Sequence, residues 1–157
     1  MIKTASHHES LRIPIKQLDK GLPVPSYAYP GDAGVDLTST VSLTINPMER
    51  EVVPCGVALG LPRGYAGLVL PRSGLAAKHG ITLVNAPGLI DSDYRGEIKA
   101  ILMNLDSHEP FRIERGDRIA QLVIMPVPVV NLRSVDELDE TVRGTGGFGS
   151  SGVSSAS

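Results

Sequence analysis

Tryptophan is absent from this 157-residue chain, cysteine occurs once, and Phe, Trp and Tyr together make up 4% of it. The lone cysteine, Cys55, rules out an intrachain disulfide and points to a reducing, cytoplasmic setting. So few aromatics mean that the core is assembled from Val, Ile, Leu, Ala and Met, or is completed by other chains. No run approaches the ~18 apolar residues of a membrane-spanning helix. Residues 1–11 are mixed and polar, unlike a secretory signal. An excess of one charge is lacking too: 15 Lys and Arg against 17 Asp and Glu leave a formal net charge of −2. That argues against a nucleic-acid or anionic-membrane binder working through bulk charge. With 41% hydrophobic and 20% charged residues, the chain is not disordered throughout. Its length is that of one domain.

What is abundant is punctuation. There are 17 glycines and 12 prolines, where an average chain has about 12% of the two combined. They separate short apolar or alternating stretches, the pattern of an all-β domain. Strands are expected over 11–17, 35–37, 41–45, 49–53, 57–61, 65–70, 81–85, 97–105, 111–113 and 118–130. One short helix is expected from an N-cap at Ser73 to a terminal Gly80. A second is expected from Ser134, which has capping-box spacing to Glu137. Residues 100–103 and 122–125 are apolar without alternation, so both faces of those strands are expected to be covered, by a second sheet, another subunit or both. A jelly-roll-like β-sandwich or barrel inside a homo-oligomer fits. Residues 143–157 hold five Gly and five Ser, which reads as a frayed tail or, because Arg143 and Phe148 interrupt it, as a strap that closes over a ligand.

The common catalytic sets are missing: there is no CxxC, HExxH, GxSxG or Walker-type loop. His7, His8, His79 and His108 are scattered, which makes a protein-held zinc improbable. Cys55, with no base near it in sequence, reads as a small core residue rather than a nucleophile. Other segments are stranger. Residues 71–75 (PRSGL) open the short helix with an Arg and a Ser, either an anion cradle or an ordinary cap. Residues 87–97 join two strands through carboxylates, a Tyr and two Gly. Residues 115–121 (RGDRIAQ) enter a buried strand, as a turn with a surface ion pair or as something more. Asp36 places an acid inside an apolar strand, where it needs a partner or a role.

Together and in order, five segments resemble the five motifs of the trimeric deoxyuridine triphosphatase (dUTPase) family: 33–37 (AGVDL), 71–75 (PRSGL), 88–97 (GLIDSDYRGE), 115–122 (RGDRIAQL) and 143–152 (RGTGGFGSSG). The resemblance spans residues 11–152. It implies a jelly-roll-like homotrimer with active sites at subunit interfaces, hydrolysing dUTP to dUMP and pyrophosphate. It divides the chain into a mobile extension (1–10), a β domain (11–142) and an arm (143–157) that folds over substrate.

The resemblance also implies roles. Asp91 is the base that orients and activates water, and Gln121 contacts phosphate and helps to place that water. Arg72, Ser73 and Gly74 bind phosphate, because a guanidinium matches phosphate oxygens in a way that Lys cannot. The hairpin around Asn85, Gly88 and Lys99 reads the uracil edge, and Tyr94 packs on the deoxyribose. Arg143, Gly147, Gly149 and Ser150 wrap the distal phosphates, while Phe148 stacks on uracil. Mg²⁺ is held mainly by phosphates and water, with Asp36 an outer-shell carboxylate. Asp117 is expected to be structural, pairing with an Arg such as Arg72. Two rivals remain: a dCTP deaminase-like enzyme, in which Glu97 would serve the base, and a non-catalytic dUTP-binding regulator.

Overall fold

A computed structural model describes residues 10–147 of the chain. Eleven strands and one helix follow in order: β1 (Ile15–Gln17), β2 (Val35–Thr38), β3 (Leu43–Ile45), β4 (Arg50–Pro54), β5 (Val57–Leu59), β6 (Tyr65–Leu70), α1 (Ser73–His79), β7 (Ile81–Leu83), β8 (Gly88–Ile90), β9 (Lys99–Asn104), β10 (Phe111–Ile113) and β11 (Arg118–Pro126). Every pairing is antiparallel. A four-stranded sheet runs β2-β11-β6-β8 and a three-stranded sheet β4-β9-β7, joined by the pairs β1-β5 and β10-β3. The all-β, jelly-roll-like class with one short helix is as expected.

The core has the aliphatic make-up that the composition demanded. Leu37, Ile45, Val53, Val69, Ile81, Leu102, Ile113, Ile119 and Leu122 meet in one cluster drawn from both sheets. Its two buried polar side chains are satisfied. Ser39 donates to Val41 O, and Asn104 donates to Ile45 O and Glu109 O while accepting from the Asp106 N–H. Cys55 lies in this core with its sulfur 3.8 Å from Val53 O, as its sequence context suggested. Burial pushes its thiol up to about 12 from 9.0. Folded protein will therefore resist thiol reagents at pH 8 and react fully once denaturant is added. Below pH 9 the thiol is protonated in both states and contributes no pH dependence. Between pH 9 and about 12 the unfolded chain sheds the proton while the fold retains it, so stability falls as pH rises through that window. Reagent titration and alkaline melts check both expectations.

Several boundaries differ from expectation. β1 begins only after Pro14, which has no N–H to give a ladder, and β11 stops at Pro126. Ser73 is the first residue of α1 rather than its cap. Arg72 occupies the cap position without a side-chain bond, while Gly80 closes the helix at φ 65° as expected. β8, inside the glycine-bearing 87–97 segment, was not foreseen. Nor does a helix form at Ser134: residues 127–147 contain neither helix nor strand. Val129, Leu132, Leu138 and Val142 there are almost wholly exposed, and a short helix with no face packed on the body is marginal in water. The expectation of doubly covered strands is half met. Ala100, Leu102 and Asn104 of β9 are buried, whereas Ile101 and Met103 on its other face are only partly covered. His79 packs against the Phe111 ring, with centroids 5.1 Å apart, in a structural role.

Candidate active site

Three motif segments converge because three neighbouring strands carry them. In the four-stranded sheet Gln121 of β11 lies opposite Asp36 on β2 and opposite Leu70 on β6. Directly opposed residues share a face, so Asp36 and Gln121 point the same way, with Arg72 just past the end of β6. A register shift between Arg118 and Ala120 adds one residue to β11. Ile119 and Ala120 are therefore both buried in succession, and Arg118 is turned onto the face that Asp36 and Gln121 share.

The outcome is a 340 Å³ cavity lined by residues including Asp36, Arg72, Ser73, Gly74, Arg118 and Gln121. The Asp36 carboxylate is shared, with Arg72 Nε 3.1 Å from one oxygen and Arg118 Nη1 3.1 Å from the other. Arg72 Nη1 also donates to the Arg118 carbonyl at 2.9 Å, which fixes the plane of its guanidinium. Gln121 Nε2 donates to Pro71 O at 2.9 Å. Since a carbonyl can only accept, the amide orientation is set, and its Oε1 is turned towards Gly34. Two guanidiniums and two carboxylates, Asp36 and Asp32, line the cavity; what it offers a polyanion is a pair of planar donor forks that match phosphate oxygens, rather than net charge. Arg118 was missed as a functional residue. Its signal was the R-I-A-Q order, with two apolar residues where strict alternation allows one.

Asp117, expected to pair with Arg72, does not do so. It accepts the Glu114 N–H at 2.8 Å and closes the turn before β11, while Asp36 takes Arg72. Asp117 is thus structural with a different partner. The surface ion pair considered for this segment does form: Arg115 Nη2 holds both Asp19 oxygens at 2.8 Å. The Gly21 N–H and the Arg115 guanidinium hold the Asp19 carboxyl below its usual range.

Between β8 and β9 the chain doubles back as a hairpin in path alone, because β8 pairs with β6 and β9 with β4 and β7 rather than with each other. It forms a second pocket of 220 Å³, lined by Val52, Leu89, Asp91, Tyr94, Glu97 and Lys99 among others. Asp91 is exposed and its carbonyl accepts the Tyr94 N–H, closing the tip. Arg95 Nη1 donates to the Ser92 and Tyr94 carbonyls. Asn85 and Gly88 adjoin at the hairpin entry, outside the residues lining this pocket. Glu97, the residue on which the deaminase alternative depended, accepts the Gly56 N–H at 2.9 Å and is engaged in structure.

Among the described residues, none lines both sites. Ile90 pairs with Gly67, whereas Gln121 pairs with Leu70 two strands from β8. At ~3.3 Å per residue and ~4.8 Å between strands, the Asp91 and Gln121 backbones of one chain lie roughly 16 Å apart. Arg143 Nε donates to Gly146 O in an exposed turn that touches neither site. Gly147 is exposed as well, and Phe148, Gly149 and Ser150 lie outside the described residues.

An antiparallel β domain with two convergent guanidiniums in one cavity and an aspartate–tyrosine hairpin lining another has the make-up of a nucleotide-handling enzyme. The chain belongs to the dUTPase family, whose model matches residues 20–152. It is 59% identical over 140 residues to the deoxyuridine 5'-triphosphate nucleotidohydrolase of Corynebacterium glutamicum, covering 89% of this chain and 94% of that one. It is 56% identical to the enzyme of the same name from Rhodococcus erythropolis, covering 92% and 88%. Among solved structures, a point mutant of the Staphylococcus bacteriophage 80alpha dUTPase with dUpNHpp superimposes with a TM-score of 0.84 at 31% identity, covering 92% of this chain and all of that one. A mutant dUTPase from S. aureus phage phi11, described as coordinating a structural Mg(II) ion, gives 0.75 at 26% identity, covering 81% and 98%.

Proposed function

We infer that this chain hydrolyses dUTP to dUMP and pyrophosphate, and that it does so as a homotrimer whose sites are completed across subunit boundaries. The family and its relatives' activity support the reaction. The observation that carries the assembly is the separation of the Asp91 hairpin from the Arg72–Gln121 cavity within one chain. A base and the groups that hold its substrate must lie within hydrogen-bond reach of the same reacting atoms, so the hairpin of one subunit faces the cavity of its neighbour. The half-covered face of β9 supplies apolar surface for such contacts.

In this reading Arg72, Arg118, Ser73 and Gly74 take the triphosphate. Asp91 accepts a proton from water as its oxygen attacks phosphorus. The α–β anhydride breaks and its electrons leave with pyrophosphate. Aspartate is a weak base, so alignment matters more than basicity. Gln121 Oε1, fixed by the Nε2 bond to Pro71, can accept a hydrogen bond from the water and hold that molecule in line. Tyr94 packs on the deoxyribose and leaves no room for a 2′-hydroxyl. Asn85, Gly88 and Lys99 frame the uracil. Arg143, Gly147, Phe148, Gly149 and Ser150 close over the substrate as an arm.

The residues present fit Mg²⁺ bound through water. Both Asp36 oxygens already face guanidiniums, which leaves them free to accept from metal-bound waters but not to displace those waters. When bound, the ion would neutralise charge on the phosphates. A reducing cytoplasm, where a buried free Cys55 needs no partner, suits this enzyme.

Incubation with dUTP, dCTP and dTTP, with pyrophosphate and ammonia measured, tests the reaction. Pyrophosphate from dUTP alone is expected; ammonia from dCTP would mark a deaminase, and neither product a binding protein. Light scattering is expected to give three chains per particle, and a catalytically active monomer would refute the shared site. Arg72→Lys keeps the charge but cannot hold Asp36 and the Arg118 carbonyl while still facing phosphate. Its kcat/KM for dUTP should fall roughly 10–100-fold, as steady-state kinetics would show.

A further inference from the structure

The substrate hairpin is tied to the body of the domain by a side chain that no step above uses. Gly56, in the turn between β4 and β5, has φ 70°. A Cβ there would come within 2.6 Å of Thr40 Cγ2 and 3.0 Å of Asp19 Cβ, so this turn is closely fitted to its surroundings. Its carbonyl accepts the Leu18 and Asp19 N–H groups, and its own N–H goes to Glu97 Oε1 at 2.9 Å. Beside it, Ile98 donates to Val57 O and Cys55 donates to Ile98 O. Residues 97–98 are thereby clamped to a turn that cannot easily shift.

Tyr94 is built onto that clamp. Its phenol donates to the Glu97 carbonyl at 2.9 Å. Its ring folds back over Gly96, where a Cβ would collide with it. The ring's position is therefore referred to the backbone at 96–97, which is tied to the body by the Glu97 side chain at Gly56 and, one residue on, by the two backbone bonds of Ile98. Apart from these ties, the tip's hydrogen bonds among the described residues run within the tip itself, between Asp91, Ser92, Tyr94 and Arg95.

We propose that Glu97 is a positioning residue for sugar selection, holding Tyr94 at the depth that admits deoxyribose and excludes ribose. This rests on the reading of Tyr94 as the deoxyribose contact and deepens it. Rejection of one added hydroxyl by an apolar wall is weak unless the wall is held rigid. A hairpin released from Gly56 lets Tyr94 recede, so the larger sugar gains more than the smaller one. The property that Glu97 supplies is a fixed acceptor; negative charge is not required, and glutamine at this position serves equally.

Full-length wild type, Glu97→Ala and Glu97→Gln would be assayed with dUTP and with UTP by pyrophosphate release. In Glu97→Ala the ratio of kcat/KM for dUTP over UTP is expected to fall roughly tenfold or more, with KM for dUTP raised. Glu97→Gln is expected to keep the wild-type ratio. A simple loss of folded enzyme would lower both substrates equally and leave the ratio intact. An unchanged ratio in Glu97→Ala, or a Glu97→Gln variant as impaired as Glu97→Ala, overturns the proposal. Should Glu97→Ala fail to fold, Glu97→Met takes its place, keeping the length of the side chain and removing the acceptor for the Gly56 N–H. A lowered ratio then supports the proposal and an unchanged one overturns it. Wild type that does not discriminate dUTP from UTP overturns both the Tyr94 reading and this one, and shows it before any variant is compared.

Discussion

Replacing Asp91 with asparagine is expected to leave dUTP bound and to lower kcat by roughly 10²–10⁴. The side chain is exposed at the tip of a hairpin held by backbone bonds, so the substitution removes no packing and the fold should melt as wild type does. Asparagine has the shape of aspartate but its amide cannot take a proton at neutral pH. Substrate is held elsewhere, by the cavity in which Arg72 and Arg118 converge. Binding and turnover should therefore separate, with KM near wild type and kcat collapsed. Calorimetric titration with a non-hydrolysable dUTP analogue, alongside pyrophosphate release, reads the two independently. Near-normal turnover would remove Asp91 as the base.

Deletion of residues 143–157 is the second large effect. The described part of this segment, up to Gly147, is mostly exposed and contributes nothing to the core cluster, so the truncated chain should fold, assemble and melt unchanged. Turnover should nevertheless fall roughly a hundredfold or more, because an open site keeps its water and leaves the distal phosphates free to wander. Light scattering and melting would confirm the particle, and kinetics would report the loss. Full activity in the truncated enzyme would reduce the segment to a tail.

Much of this could be read from the residues alone. Turn chemistry and β-branched runs gave most strands, and the glycine at position 80 ended α1 where it should. What escaped was decided by pairing between distant strands. β8 is three residues long and sits among turn formers; β6 beside it makes it a strand. The capping-box spacing at Ser134 was a genuine local signal, but among the described residues its apolar side chains find no surface to pack on. The Asp117–Arg72 pairing failed for a similar reason. The resemblance suggested an arginine from another motif as the partner of Asp117, whereas the register of β2 on β11 delivered Asp36 to both arginines. Arg118 depended on one inserted residue, which reverses a side chain's direction while leaving the motif unremarkable to the eye. The motif order identified which segments matter; only the sheet could say which of them meet.

The distance between the aspartate hairpin and the glutamine cavity of a single chain has a genetic corollary. If each catalytic centre draws these two groups from different copies, two inactive variants are not equivalent defects. Asp91→Asn protomers still bring a sound Gln121 cavity, and Gln121→Ala protomers still bring a sound Asp91. Unfolded and refolded together, the two dead preparations would form hybrid particles in which some centres receive both intact halves, and activity would reappear from a mixture of inactive parents.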